Sequence, residues 1–333
     1  MAKKAPRVGD VPRYVVTGEL PEAARSLYPS GTNFEFRGPG PADRATLLDQ
    51  LQEAEGLLCM LVDQVDRALL DAAPRVQVIS QMAVGVDNID VAACTARGIA
   101  VGHTPDVLTE TTADTAMALL LASLRRIPEG QDLVRAGQWR QWSLDLLTGD
   151  DLHGSTVGIV GLGRIGEAIA RRLRGFGVRL LYAGPRRKAA LESEFRIGYR
   201  AIEDLLAESD HVILSASLNS STRHLIDEAA LEAMKPGATL VNIARGGLVD
   251  HDALAKALSS GRIGRAALDV TDPEPIPVDH PLVSLSNCIV IPHLGSASAR
   301  TRLAMATRAV ENLVAGLDGQ QLRWCVNPEV YPV

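Results

Sequence analysis

Cysteine is scarce and scattered in this chain. The four residues, Cys59, Cys94, Cys288 and Cys325, form no C-x-x-C pair. That spacing excludes a zinc knuckle and a disulfide framework, and favours buried thiols in a reducing cytoplasm. No metal is expected. Basic excess is missing as well: 34 Lys+Arg stand against 40 Asp+Glu, for a net charge of −6. A nucleic-acid partner, which calls for a basic stripe, is therefore not expected. No run of residues approaches the apolar length of a membrane span, so no membrane partner is expected either. The start MAKKAPRVGD has two lysines with no apolar stretch behind them, and does not read as a signal peptide. What remains is the composition of a soluble globular enzyme, 46% hydrophobic and 22% charged over 333 residues, enough for two domains.

The chain is organised around TVGIVGLGRIG at 156–166. Its first five residues are short, apolar and β-branched, as in a buried parallel strand. Gly161, Gly163 and Gly166 follow at G-x-G-x-x-G spacing, and then a helical pattern places Ile165, Ala168, Ile169 and Leu173 on one face. The glycines suit a tight turn, a close approach to a pyrophosphate and a close helix–strand contact. Free N–H groups at the helix start favour a phosphate. The strand before and the helix after turn a weak motif into a dinucleotide-binding expectation, with Leu162, Arg164 and Ile165 in the same turn.

Upstream, 1–10 reads as a loose leader and 38–43 as a break. Strands are predicted at 13–17, 56–62, 76–80 and 99–101, and helices at 21–27, 45–53, 66–72 and 91–97. This alternation is the signature of a parallel sheet with helices on its faces. A long helix follows at 109–127, then a weakly periodic stretch to 151 that contains Trp139 and Trp142. A segment of that length is expected to be ordered by a partner surface. Downstream strands are predicted at 178–182, 196–199, 211–216, 238–243, 266–269 and 288–291, with helices at 202–208, 227–234 and 251–259. The last long helix, 297–317, leaves this second unit for the first, so the first domain is expected to be discontinuous. The domains are then 8–107 plus 297–333, for substrate, and 108–296, for the dinucleotide, with 109–151 as helix and dimerisation arm.

An Asp or Glu about 20 residues past such glycines accepts hydrogen bonds from the adenosine ribose. Here the second strand ends in Ala183-Gly184-Pro185, without an acid, and Arg186, Arg187 and Lys188 follow. Arginines bind the extra phosphate of NADP, which a carboxylate would repel. NADP(H) is the expected cofactor, with NAD(H) the weaker alternative.

Three later strand ends carry chemistry: Arg245 in NIARGG, Asp269 and Glu274 in ALDVTDPEP, and His293 in IPHLGS. Ligands of open α/β sheets bind at the carboxyl ends of strands, so these residues should converge. An Arg to clamp a carboxylate, a His to supply a proton and a Glu to keep it protonated describe hydride transfer to a keto acid. His211, His224 and His251 have no comparable context and read as surface or core histidines.

The motifs MAVGVDNID, HTPDVLTETTAD, STVGIVGLGRIGEAIARRL, NIARGGLVD, ALDVTDPEP and PHLGSAS, in this order, resemble the D-isomer-specific 2-hydroxyacid dehydrogenases, most closely their glyoxylate/hydroxypyruvate reductase branch. The resemblance implies an α/β fold of two doubly wound parallel-sheet domains, flavodoxin-like and Rossmann-type, with a cleft between them, usually in a homodimer. It implies Arg245, Glu274 and His293 as the catalytic trio and the backbone of Val84 and Gly85 as the site of the substrate carboxylate. Asp269 would face the nicotinamide carboxamide, with Ile243 and Gly295 close to the cofactor. Trp142 of the partner subunit would close the substrate pocket. The expected reaction is NADPH-dependent reduction of glyoxylate to glycolate and of hydroxypyruvate to D-glycerate. The alternatives are a dehydrogenase for a bulkier 2-keto acid, such as phenylpyruvate, and a dinucleotide-sensing protein without catalysis.

Overall fold

A computed structural model describes residues 13–28, 33–36 and 43–332. The leader 1–10 and nearly all of the break at 38–43 lie outside them. One unit ends at Leu108 and resumes with Ser298–Val333; the other is Thr109–Ala297.

The first unit holds β1 (Arg13–Val16), β2 (Asn33–Phe36), β3 (Gly56–Cys59), β4 (Val78–Gln81) and β5 (Ala100–Gly102). They are all parallel, in the order β2-β1-β3-β4-β5, the flavodoxin-like arrangement. Local sequence starts the helices between them. Asp43, Asp66 and Asp90 each accept the N–H three residues on, and so cap the helices Arg44–Leu51, Arg67–Ala72 and Val91–Ala96. The helix Ala299–Leu317 packs across β3 and β4. It comes so close that a Cβ on Gly316 would lie 2.4 Å from Val78.

The second unit holds β6 (Thr156–Val160), β7 (Arg179–Ala183), β8 (Ile197–Tyr199), β9 (His211–Leu214), β10 (Thr239–Asn242), β11 (Arg265–Leu268) and β12 (Cys288–Val290). Their order is β12-β11-β10-β9-β6-β7-β8, again all parallel. This is the Rossmann order 3-2-1-4-5-6 with one more strand, and it reverses between β6 and β9. β6 is buried on both faces. Val157 and Ile159 pack with Leu120, Leu124, Ile169 and Leu173 on one side, while Val160 joins Leu214, Leu240 and Leu254 on the other. Each such side chain contributes roughly 1.5–3 kcal/mol by leaving water. The fold is thus α/β with two doubly wound parallel sheets.

Four parts of the chain differ from the sequence reading. The predicted helix 109–127 stops at Leu124, because Arg126 takes a left-handed φ of 52° and a second helix, Ile127–Arg135, starts there with Pro128 in its first turn. Edge strand β2 was not read, nor was the helix Ala189–Phe195, which buries only Phe195 and so shows little periodicity. The predicted helix 21–27 is one turn, Glu22–Arg25. No helix among the described residues is long and apolar enough to cross a membrane.

Candidate active site

The glycine turn sits where the strand order reverses. Gly161 has φ +94°, and a Cβ there would lie 2.6 Å from the Ala216 nitrogen, just past β9. A Cβ on Gly166 would lie 2.3 Å from the Gly161 carbonyl oxygen, so this glycine sets the approach of the helix Arg164–Leu173 to the strand. Gly163 is different: a Cβ there meets nothing within 4 Å. It is also the N-cap of that helix, and no side chain caps the end. The open, donor-rich helix start fits the pyrophosphate of a dinucleotide. Leu162 is buried, Ile165 half-buried and Arg164 exposed at the rim.

Past β7, Gly184 is half-buried and Arg186 and Arg187 are exposed. The bases are not equivalent. Arg187 makes a bidentate pair with Glu192, at 2.8 and 2.9 Å, and the same carboxylate accepts the Tyr182 hydroxyl. Together they hold the Glu192 carboxyl below its ordinary value, the Arg187 bond acting most strongly. Lys188 pairs with Glu167 at 2.9 Å and donates to the Leu162 carbonyl. Arg186 has no ion-pair partner among the described residues. Glu192 escaped the sequence reading because it lies nine residues beyond β7, on the helix that was not recognised.

The ends of β10, β11 and β12 carry the other candidates. Buried Asn242 shapes the first: its Nδ2 donates to the Arg245 carbonyl at 2.8 Å and its Oδ1 accepts the Ala244 N–H at 3.0 Å. The Arg245 side chain is half-buried and donates from Nη1 to the Ala244 carbonyl. Next to it, a Cβ on Gly246 would lie 2.0 Å from the Thr271 carbonyl carbon, so the loops after β10 and β11 meet backbone to backbone. Asn242 was not singled out as functional, although a polar residue closing the apolar run TLVN was a usable signal.

Glu274 and His293 are joined by a hydrogen bond of 2.6 Å between Oε1 and Nδ1. Burial pushes the Glu274 carboxyl up, but His293, the Thr271 N–H and Arg245 outweigh it and hold the carboxyl below its ordinary value. The carboxylate thereby fixes Nδ1 as a donor and leaves Nε2 as the nitrogen facing away from Glu274. His293 itself has φ +52°, a left-handed conformation that costs roughly 1–2 kcal/mol for such a residue. Asp269 offsets it. Its carboxylate accepts the N–H groups of Leu294 and Gly295 at 2.6 and 2.9 Å, and its carbonyl accepts that of His293 at 2.9 Å. Burial raises the Asp269 carboxyl above its ordinary value in spite of these bonds. Gly295 is required here, since a Cβ would lie 2.7 Å from Asp269 Oδ2. Ile243 is buried at the end of β10.

Val84 and Gly85 lie half-buried in the loop after β4, in the other unit. Trp142 stands 76% exposed. It follows a helix, Ile127–Arg135, that buries none of its residues. Among the described residues no group of three or more His, Cys, Asp or Glu could hold a metal. Buried His211 and His251 have depressed values, with burial the main cause.

A family model described as D-isomer specific 2-hydroxyacid dehydrogenase, NAD binding domain, matches residues 117–295. The chain is 44% identical to a glyoxylate reductase of Korarchaeum cryptofilum, over 97% of this chain and 98% of that protein. It is 45% identical to a glyoxylate reductase/hydroxypyruvate reductase of Mus musculus, over 92% and 95%. Among solved structures it resembles an NADPH-dependent glyoxylate/hydroxypyruvate reductase of Sinorhizobium meliloti in complex with NADP and malonate, with TM-score 0.86 and 34% identity over 97% and 99% of the chains. The family match and the glycine turn agree on a nicotinamide dinucleotide as cofactor. The chain belongs to the D-isomer-specific 2-hydroxyacid dehydrogenases, and is an oxidoreductase acting on CH–OH groups.

Proposed function

We propose that the protein reduces glyoxylate to glycolate and hydroxypyruvate to D-glycerate, with NADPH as the preferred cofactor. The observation that carries this reading is His293, braced by Asp269 and bonded to Glu274 at 2.6 Å, on the strand edge that also bears Arg245. The relatives named above act on small keto acids, which supports a small substrate. The bound nicotinamide supplies the hydride. Arg245 clamps the substrate carboxylate, and the Val84 and Gly85 backbone offers it N–H donors. His293, oriented by its bond to Glu274, passes a proton to the keto oxygen as negative charge develops there. Gly161, Leu162, Gly163, Arg164, Ile165 and Gly166 line the pyrophosphate, while Ile243, Asp269 and Gly295 border the nicotinamide. The unit ending at Leu108 and resuming at Ser298 is the substrate domain, and Thr109–Ala297 the dinucleotide domain.

The 2′-phosphate of NADPH is read by the loop Gly184–Lys188, with Arg186 foremost because Arg187 and Lys188 already hold carboxylates. Exposed Ile127, Val134, Trp139, Trp142, Leu144 and Leu146 form the arm of a homodimer. Trp142 of the partner subunit closes the substrate pocket. Four free thiols fit a cytoplasmic enzyme. Initial rates over glyoxylate, hydroxypyruvate and phenylpyruvate, each with NADPH and NADH, test the reading. NADPH should be preferred, both small acids turned over, and Arg186→Ala should erase most of the preference. Equal or better use of NADH overturns the cofactor assignment, and a preference for phenylpyruvate overturns the substrate.

A further inference from the structure

Three successive carbonyls after β4 are turned into the protein and held there. The Thr104 N–H donates to the Ala83 carbonyl at 2.8 Å. His103 Nδ1 lies 3.0 Å from the Val84 carbonyl oxygen, and Gln81 Nε2 donates to the Gly85 carbonyl at 3.3 Å. The N–H groups of Val84, Gly85 and Val86, by contrast, have no acceptor among the described residues. Backbone with its carbonyls engaged and consecutive N–H groups unengaged is an anion cradle.

Gln81 is well placed to hold such a cradle still. It is wholly buried, and its amide is fixed on both sides: Nε2 also donates to Asn88 Oδ1 at 2.7 Å, and Oε1 accepts from Cys59 Sγ at 2.9 Å. Asn88 in turn donates to the Asp63 carbonyl at 2.7 Å, and the Asp63 carboxylate accepts the Met60 N–H at 2.7 Å and the Thr17 hydroxyl. A chain of buried polar groups thus runs from Thr17, just past β1, through the loop after β3 to the Gly85 carbonyl. Buried amides of this kind resist displacement, because each bond broken leaves an unpaired polar group.

We infer that Gln81 and His103 are positioning residues for substrate. They pin the Gly85 and Val84 carbonyls so that the N–H groups of Val84, Gly85 and Val86 converge on the keto-acid carboxylate. The inference rests on the proposed function, which makes that loop the carboxylate site. Either pin removed lets a peptide rotate, and displacement of a bound group by about 1 Å is enough to cost one to two powers of ten.

The test uses Gln81→Met and His103→Phe, which remove the donors, and His103→Asn, whose amide can replace Nδ1–H. The probes are glyoxylate as substrate and oxamate as a non-reducible carboxylate ligand. Each loss variant should raise the glyoxylate KM and the oxamate Ki about tenfold, equivalent to about 1.4 kcal/mol. Their kcat and NADPH dissociation constant should stay near wild type, as should the Tm of His103→Phe. Gln81→Met should lower Tm, because it leaves the Asn88 and Gly85 oxygens without their donor; His103→Asn should restore Ki to within about threefold. A parallel drop in kcat, NADPH affinity and Tm without rescue by Asn would mean a merely structural role and overturn the inference. Val84→Asp separates the two levels, since it sets a carboxylate beside the cradle. If it raises Ki while the loss variants do not, the positioning role fails and the carboxylate site stands; if it leaves Ki unchanged, both fall.

Discussion

The three glycines of the turn make different demands, and substitution by alanine should separate them. At Gly161 an alanine meets two penalties. Its φ of +94° lies where L residues are strained by roughly 1–2 kcal/mol. Its Cβ would also press within 2.6–2.9 Å of the Ser215–Ala216 backbone, which has no rotamer to move away, adding an overpacking cost of about 1–3 kcal/mol. Gly161→Ala should therefore destabilise the protein without cofactor by about 2–5 kcal/mol. At Gly163 the backbone is extended, with φ −82° and ψ −167°, and the new methyl meets no protein atom. The loss of unfolded-state freedom and the poorer N-cap nearly cancel, so Gly163→Ala should change stability by less than about 1 kcal/mol. Its methyl does enter the space above the uncapped helix start. Losing one or two charge-assisted N–H bonds to phosphate there costs about 1.5–3 kcal/mol, or roughly 10- to 150-fold in dissociation constant. Denaturant unfolding without cofactor and fluorescence titration with NADPH measure the two quantities separately. A Gly163→Ala protein that binds NADPH as tightly as wild type, or that unfolds as easily as Gly161→Ala, would refute the placement of the pyrophosphate.

His293→Ala should lower kcat at least a hundredfold, within the usual span for a lost general acid, while the NADPH dissociation constant stays within about twofold; steady-state rates and titration check this, and retained turnover would remove His293 from the chemistry. The Glu274 carboxyl is held below its ordinary 4.5, so its contribution to stability is present above that pH and fades as pH falls through the lowered value. The stability gap between wild type and Glu274→Gln should accordingly narrow on acidification, as followed by denaturant unfolding across pH. A gap that widens in acid would contradict the sign.

Much of the fold could be read because parallel strands buried on both faces have to be continuous apolar runs. GLLC, TVGIV, HVIL and TLVN announce β3, β6, β9 and β10 with no help from neighbours. The elements that escaped carry little such signal. The helix Ala189–Phe195 buries one side chain, and the helix Ile127–Arg135 buries none. The glycine turn after β6 and the placement of Arg245, Glu274 and His293 past the ends of β10, β11 and β12 were legible, since the loops that follow parallel strands all lie at the carboxyl end of the sheet.

Sequence by itself determined the repertoire: two α/β units, a glycine turn with its required left-handed residue, and an Arg, a Glu and a His at strand ends. These follow from local sterics and from burial, which act over a few residues. Tertiary structure alone decided how the polar groups are shared. Glu192 reaches Arg187 and Glu167 reaches Lys188, which leaves Arg186 as the unshared base of the loop. Asp269 spans from the end of β11 to the turn after β12, holding His293 in a conformation it would not keep alone. Gln81 and His103, from β4 and from just past β5, reach the same short loop. Such pairings join residues far apart in the chain, and hydrogen bonds depend on distance and angle to fractions of an ångström. Residue spacing along a chain carries no such information until the sheets have set it.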